Sequence, residues 1–155
     1  MVWPDAFDPA EIGAVLFACT MNQVRSPMAA ALLRQHWGRR IFVDSCGLRA
    51  AGETDPFAAI VMDEIGLDLS AHKPKTFDQL EDGSFDLVIS LSPEAQHRAV
   101  ELSRGRAVGL EYWPTFDPTV TEGAREQRLD AYRRVRDELE RRIAERFPRS
   151  ASFGG

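Results

Sequence analysis

Residues 14–27 read Ala14-Val-Leu-Phe-Ala-Cys19-Thr-Met-Asn-Gln-Val-Arg25-Ser26-Pro27, and their order decides the fold. Ala14–Cys19 is a nearly continuous apolar run, as in a strand buried on both faces. Ser26-Pro27 opens a helical pattern that runs to Trp37, with Pro27 suited to the first helical position. A short loop, Thr20-Met21-Asn22-Gln23-Val24-Arg25, joins the two. Strand, tight loop and helix together outline an anion site, because loop N–H groups can turn inward and the helix start adds its positive end. Arg25 contributes a planar fork of donors that matches phosphate oxygens. The same positive field favours the thiolate form of Cys19 at the mouth of the loop, and the Ser26 hydroxyl is placed to hydrogen-bond it. Thr20 through Ser26 are therefore candidate phosphate-binding residues, and Cys19 is the candidate nucleophile. The spacing Cys-x5-Arg alone is a weak signal; the strand before it and the helix after it give it weight.

Working outward, three more short runs read as strands: Ile41–Cys46, Asp86–Leu91 and Ala107–Tyr112. Helical patterns separate them at Asp55–Ile65 and Ser92–Leu102, the latter opened by the cap Ser92-Pro93-Glu94. The last helix is the clearest, with Leu129, Tyr132, Val135, Leu139 and Ile143 recurring every three or four residues between about 124 and 147. Alternating strands and helices predict an α/β three-layer sandwich: a four-stranded parallel sheet, helices on both faces and the phosphate-binding loop after the first strand. Ligands of such sheets gather beyond the carboxyl ends of the strands. Neither a repeat nor a linker divides the chain, so residues 1–155 are expected to form one domain with a core at about 12–147, a loose leader at 1–11 and a tail that frays from Arg149.

The composition narrows the function. The 155 residues are 44% hydrophobic and 28% charged with a formal charge of -5, which suits a packed globule and argues against a general nucleic-acid or acidic-membrane binder. No apolar run approaches a membrane span, and the start lacks a basic segment followed by an apolar one, so a cytoplasmic enzyme is expected. Two cysteines, Cys19 and Cys46, exclude a disulfide scaffold and an all-cysteine zinc site. No His/Cys/Asp cluster has ligand spacing, so neither a metal nor an organic cofactor is expected. His36 and His97 lie on helical patterns and read as solvated. Seventeen of the 19 basic residues are arginines, nine of them between Arg125 and Arg149. Acidic residues alternate with these nine, as on a salt-bridged solvent face.

Val15-Leu-Phe-Ala-Cys19, Asn22 and Arg25-Ser26-Pro27-Met28-Ala29 resemble the low-molecular-weight protein tyrosine phosphatase superfamily, which includes the thioredoxin-coupled arsenate reductases. The likeness continues through Val43-Asp-Ser45-Cys46-Gly47, Asp55-Pro56, Gly66-Leu-Asp-Leu-Ser70-Ala-His72, Asp86-Leu-Val-Ile-Ser90 and Asp117-Pro118, all in the family's order. The resemblance implies that Cys19 forms a cysteinyl-phosphate and that Arg25 with the loop amides holds the phosphoryl group. It implies that Asp117 is the general acid and then the base, and that Asn22, Ser26, Ser45 and His72 shape the loop. Asp117 also has support of its own, since it follows the fourth strand and so lies on the sheet edge that bears Cys19. For His72, a plain surface or helix-start position stands beside the site role.

The chain departs from the family at instructive places. Thr119-Val120 follows Asp117-Pro118 where the phosphatases usually carry aromatics, and Gly47-Leu-Arg-Ala-Ala-Gly52 has none either. Trp113 and Phe116, just before the acid, are the candidate cleft-lining side chains. The carboxy-terminal third looks closer to the arsenate reductases, yet Ser92 and Ala99 stand where the relay thiols would be, and neither exchanges disulfides. Cys46 follows Ser45 on one strand and should face the opposite way, as a small buried hydrophobe. Three functions follow: a cysteine-dependent phosphomonoesterase; an arsenate reductase drawing on an external small thiol or glutaredoxin-type reductant; and a non-catalytic phosphate- or phosphoprotein-binding module. The partner in each case is a phosphorylated substrate or an oxyanion such as phosphate or arsenate. The oligomeric state is not legible.

Overall fold

The computed structural model describes residues 11–50, 52–81 and 83–149. The leader through residue 10 and the tail from residue 150 lie outside the described residues. Four strands, β1 (Ala14–Cys19), β2 (Phe42–Gly47), β3 (Leu87–Ser90) and β4 (Gly109–Tyr112), alternate with α1 (Arg25–Trp37), α2 (Pro56–Asp63), α3 (Pro93–Ser103) and α4 (Arg125–Arg146). All pairings are parallel and the order is β2-β1-β3-β4. Each strand and helix falls within two or three residues of its expected place. The edge strand β4 is partly exposed, whereas every residue of β3 is buried.

Side-chain alternation along the strands builds two cores. Val15, Phe17 and Ile89 pack beneath α1, α2 and α4 with Met28, Leu33, Val61, Tyr132, Leu139 and Ile143. Leu16, Ala18, Cys46 and Val88 face the other way, beneath α3 with Ala95 and Ala99. The sheet is thus covered on both faces, as the continuous apolar strands require. The chain order reverses at β1, since β2 lies on one side of it and β3 on the other. The carboxyl end of β1 is therefore the switch point at which such sheets bind ligands, and Cys19 is its last residue.

Two readings of the sequence are corrected here. His36 is half-buried rather than solvated, with Nε2 at 2.9 Å from the Phe147 carbonyl, because the start of the carboxy-terminal segment packs back on α1. The same contact holds Arg149, expected to fray: it donates to the His36 carbonyl at 2.9 Å and lies over the Trp37 ring. His97 is exposed as expected.

The arginine-rich helix forms the ion-paired face read from its alternating charges, and it also reaches other elements. Arg133 and Arg136 clamp Glu64 at the end of α2, at 2.7 and 2.8 Å, and hold its carboxyl at about 2, well below the usual range. Arg146 binds Glu111 of β4 at 2.7 Å.

Candidate active site

The loop after β1 is tied together by its own side chains. Asn22 adopts a left-handed backbone with φ 58°, a conformation asparagine tolerates better than most residues. This turn brings the Asn22 N–H to 3.3 Å from Cys19 Sγ. The buried Asn22 amide then donates to Ser26 Oγ at 2.8 Å and Ser45 Oγ at 3.0 Å, and accepts the Lys75 N–H at 2.9 Å. The Asn22 backbone carbonyl accepts from His72 Nε2 at 2.9 Å. A carbonyl only accepts, so this fixes the His72 tautomer with the proton on Nε2. Burial pushes the His72 pKa down, outweighing the hydrogen bond that raises it, so the ring holds the loop in its neutral form. Three separated segments meet on one asparagine, and the loop's shape depends on all of them.

Cys19 Sγ lies 2.9 Å from Ser26 Oγ. The start of α1 is buried at Val24, Arg25 and Ser26, and no side chain caps it; its first turn holds no acidic residue. Buried helix starts need partners for their N–H groups, and this one opens beside the loop whose Asn22 N–H and Ser26 hydroxyl meet the sulfur. That is the chemistry of an oxyanion site.

The neighbouring chain runs along the loop and grips it. Leu48 and Arg49 donate backbone N–H groups to the Cys19 and Thr20 carbonyls at 3.3 and 3.0 Å, and Asp55 donates to the Gln23 carbonyl at 3.1 Å. Thr20 Oγ1 donates toward Ser92 Oγ at 3.0 Å and Glu94 Oε2 at 3.3 Å. Gly47 makes the close approach possible, since a Cβ there would lie 2.8 Å from Asn22 N and 2.9 Å from the Thr20 and Arg49 carbonyl oxygens.

Arg25, 9% exposed, donates to the Thr115 carbonyl at 3.0 Å. This links the loop after β1 to the segment that carries Asp117. There Thr119 donates to Asp117 Oδ1 twice, through its N–H at 3.0 Å and its hydroxyl at 2.7 Å. Asp117 Oδ2 accepts no hydrogen bond among the described residues. A second link runs through Asp55, which caps α2 with Oδ1 and accepts the Tyr132 hydroxyl on Oδ2 at 2.9 Å. Burial and that bond raise the Tyr132 pKa, and Asp117 acts on the same hydroxyl electrostatically. Bonds through Arg25 and Asp55 thus tie the loop to the Asp117 segment, to α2 and to α4.

The structure separates the sequence candidates. Cys19, Asn22, Arg25, Ser26, Ser45 and His72 come together around the loop. Trp113 does not line a cleft: it is buried, edge-on to Phe17 at 6.0 Å, with Arg142 over its ring. Its strand-end position turns it into the core. Phe116 is 59% exposed beside Asp117. Cys46 faces the α3 core, as read from its neighbour Ser45, and burial pushes its thiol pKa well up. Asp55, Gly47 and the Thr115 carbonyl were missed. Asp55 opens a helical pattern in the sequence, but nothing there signals its partner Tyr132, which reads as one more apolar-stripe position.

A family model described as low molecular weight phosphotyrosine protein phosphatase matches residues 14–149. The chain is 35% identical over 131 residues to an arsenate reductase of Halalkalibacterium halodurans, covering 83% of this chain and 91% of that one. It is 30% identical over 129 residues to a glutaredoxin arsenate reductase of Synechocystis sp., covering 83% and 92%. The YwlE arginine phosphatase of Geobacillus stearothermophilus superimposes with a TM-score of 0.71 at 27% identity, covering 85% of this chain and 88% of that one. The match spans all four strands and all four helices, and with it the chain belongs to the low molecular weight phosphotyrosine protein phosphatase family.

Proposed function

We propose that this chain is a phosphomonoester hydrolase that works through a cysteinyl-phosphate. The observation that carries the reading is the loop itself: the Asn22 N–H and the Ser26 hydroxyl meet Cys19 Sγ beside the buried, uncapped start of α1, and Arg25, on that same start, is bonded to the segment that carries Asp117. Cys19 attacks phosphorus in line with the leaving oxygen; the S–P bond forms as the P–O bond breaks. Loop N–H groups and Arg25 take the charge on the three equatorial oxygens. Asp117 gives a proton to the leaving oxygen, and Oδ2, the oxygen free of Thr119, is the one that carries it. Water then attacks phosphorus, Asp117 takes its proton, and the S–P bond breaks to release phosphate and the thiolate. The side chains of Asn22, Ser45 and His72 position the loop and do not touch the reacting atoms.

A second reading has its own support, the 35% identity to an arsenate reductase. In it the loop holds arsenate, and arsenic falls from the pentavalent to the trivalent state as Cys19 and an external thiol join in a disulfide. The thiol must come from outside: Ser92 Oγ is engaged with Thr20 and the Ala95 N–H, Ala99 has no sulfur, and Cys46 faces the other core. Hydrolysis fits a chain with one thiol in its site.

The deciding assay sets aryl-phosphate hydrolysis beside arsenate reduction with glutathione and glutaredoxin, on the natural chain and on Cys19→Ser. Hydrolysis abolished by the substitution is expected. Arsenite production without hydrolysis establishes the reductase instead. Phosphate binding with neither turnover makes the chain a binding module.

A further inference from the structure

Seven of the eight arginines of α4, all but Arg134, fall into two groups. Arg133, Arg136, Arg141, Arg142 and Arg146 each bind a carboxylate. Arg125 and Arg128, on the first turn of the helix, have no acidic partner among the described residues and instead lie over the ring of Phe57, at 5.4 and 4.6 Å from its centroid. They are three positions apart and so share a face, and Tyr132, four further on, continues it. That face meets the start of α2, where Phe57 follows Asp55, the residue bonded to Gln23 of the phosphate loop and to Tyr132. Arg128 and Asp117 both act on the Tyr132 hydroxyl. Phe57 therefore carries two unpaired guanidinium groups two residues along the chain from Asp55, whose N–H holds the Gln23 end of the loop. Arg49, exposed and likewise without an acidic partner among the described residues, stands at the other end, where its N–H holds the Thr20 carbonyl.

We propose that Arg49, Arg125 and Arg128 form a cationic rim that selects phosphorylated peptide segments bearing acidic side chains beside the phosphorylated residue. The inference rests on the phosphatase reading and names its substrate class. Cations are grouped at the rim of a chain whose net charge is -5, so the attraction is local. They stand at both ends of the phosphate loop, which suits an extended chain, advancing about 3.3 Å per residue, over a compact ligand. Stacking on Phe57 holds Arg125 and Arg128 in place and lowers the ordering cost of binding. Rim charges act mainly on encounter and on KM.

The test uses two phosphotyrosyl peptides of equal length, one with Glu and Asp flanking the phosphorylated residue and one with Gln and Asn, alongside a small aryl phosphate. The natural chain is expected to prefer the acidic peptide about tenfold in kcat/KM at low salt, mostly through KM, with the gap closing as ionic strength rises. Arg125→Glu with Arg128→Glu is expected to erase the preference while aryl-phosphate hydrolysis stays within about twofold; Arg49→Glu is expected to act in the same direction. Glutamate suits the first turn of a helix, and the paired Gln variants, with melting temperatures, separate misfolding from lost charge. Cys19→Ser measures the same selectivity by peptide binding without turnover. If no substrate is hydrolysed but Cys19→Ser still selects the acidic peptide, the rim stands and the catalytic reading falls. Equal handling of the two peptides in both kinetics and binding overturns the proposal. So does inhibition by inorganic diphosphate that depends on the same arginines when the peptides are not distinguished, which assigns the rim to compact polyanions.

Discussion

Gly47→Ala adds a single methyl group at a position whose φ is not left-handed, so its effect is steric. The new Cβ meets three backbone atoms, Asn22 N at 2.8 Å and the Thr20 and Arg49 carbonyl oxygens at 2.9 Å, where ordinary contact begins at 3.4 Å. None is the end of a flexible side chain, so either β2 or the phosphate loop must yield by about half an ångström in a close-packed interior. Overpacking of this kind costs about 1–3 kcal/mol. For a chain of this size that lowers the melting temperature by about 2–12 °C. The catalytic loss is larger than the stability loss, because the atoms displaced are those that set the loop around Cys19, and an error of about 1 Å in such geometry costs on the order of 100-fold. Calorimetry, phosphate affinity and aryl-phosphate kinetics on the natural chain and on Gly47→Ala measure each quantity. Gly83→Ala, where the added Cβ meets nothing within 4 Å, is the control and is expected to stay within about 0.5 kcal/mol. Unchanged melting and unchanged kcat/KM in Gly47→Ala refute the claim that β2 supports the loop by close approach.

Asn22→Ala removes three buried side-chain hydrogen bonds and puts alanine at φ 58°; a loss of about 3–5 kcal/mol is expected, read by urea unfolding. Asn22→Gly recovers part of it, since glycine is at ease in that conformation. The His72 pKa is lowered below its ordinary 6.5 by burial, so its contribution to stability is full above 6.5 and is lost as pH falls from there toward the lowered value, the unfolded chain taking up the proton first. Melting temperature followed from pH 8 to 5 should drop in that window, and His72→Gln should flatten the drop. Cys46→Ala is expected to keep the natural kcat/KM while losing about 1 kcal/mol of stability, consistent with a buried thiol that packs and does not react. Slow alkylation by iodoacetamide, confined to Cys19 until the chain unfolds, checks the same point by mass spectrometry.

How much was legible beforehand differs from residue to residue. Cys19, Arg25 and Ser26 are local: the eight consecutive residues from Cys19, which ends an apolar run, to Ser26, which opens a Ser-Pro helix start, carry both the turn and the donors. The opposite facing of Ser45 and Cys46 follows from strand alternation alone. Trp113 went the other way, because a side chain at a strand end has two choices of direction and only the packing of Phe17 and Arg142 selects one. His36 was misread because its partner, the Phe147 carbonyl, lies 111 positions away.

Periodicity, punctuation and one loop therefore determined the parallel sheet, the helices around it and the end of β1 as the place for chemistry, since each of these depends on residues close in the chain. Tertiary structure alone decided what closes around that loop. Gly47 against Asn22, Arg25 on the Thr115 carbonyl, and Asp55 between Gln23 and Tyr132 each join segments far apart in sequence. It likewise decided which arginines of α4 find acids and which two lie over Phe57. Pairings of this kind carry no local signature, because any carbonyl, carboxylate or ring at the right distance serves, and only the folded chain sets the distance.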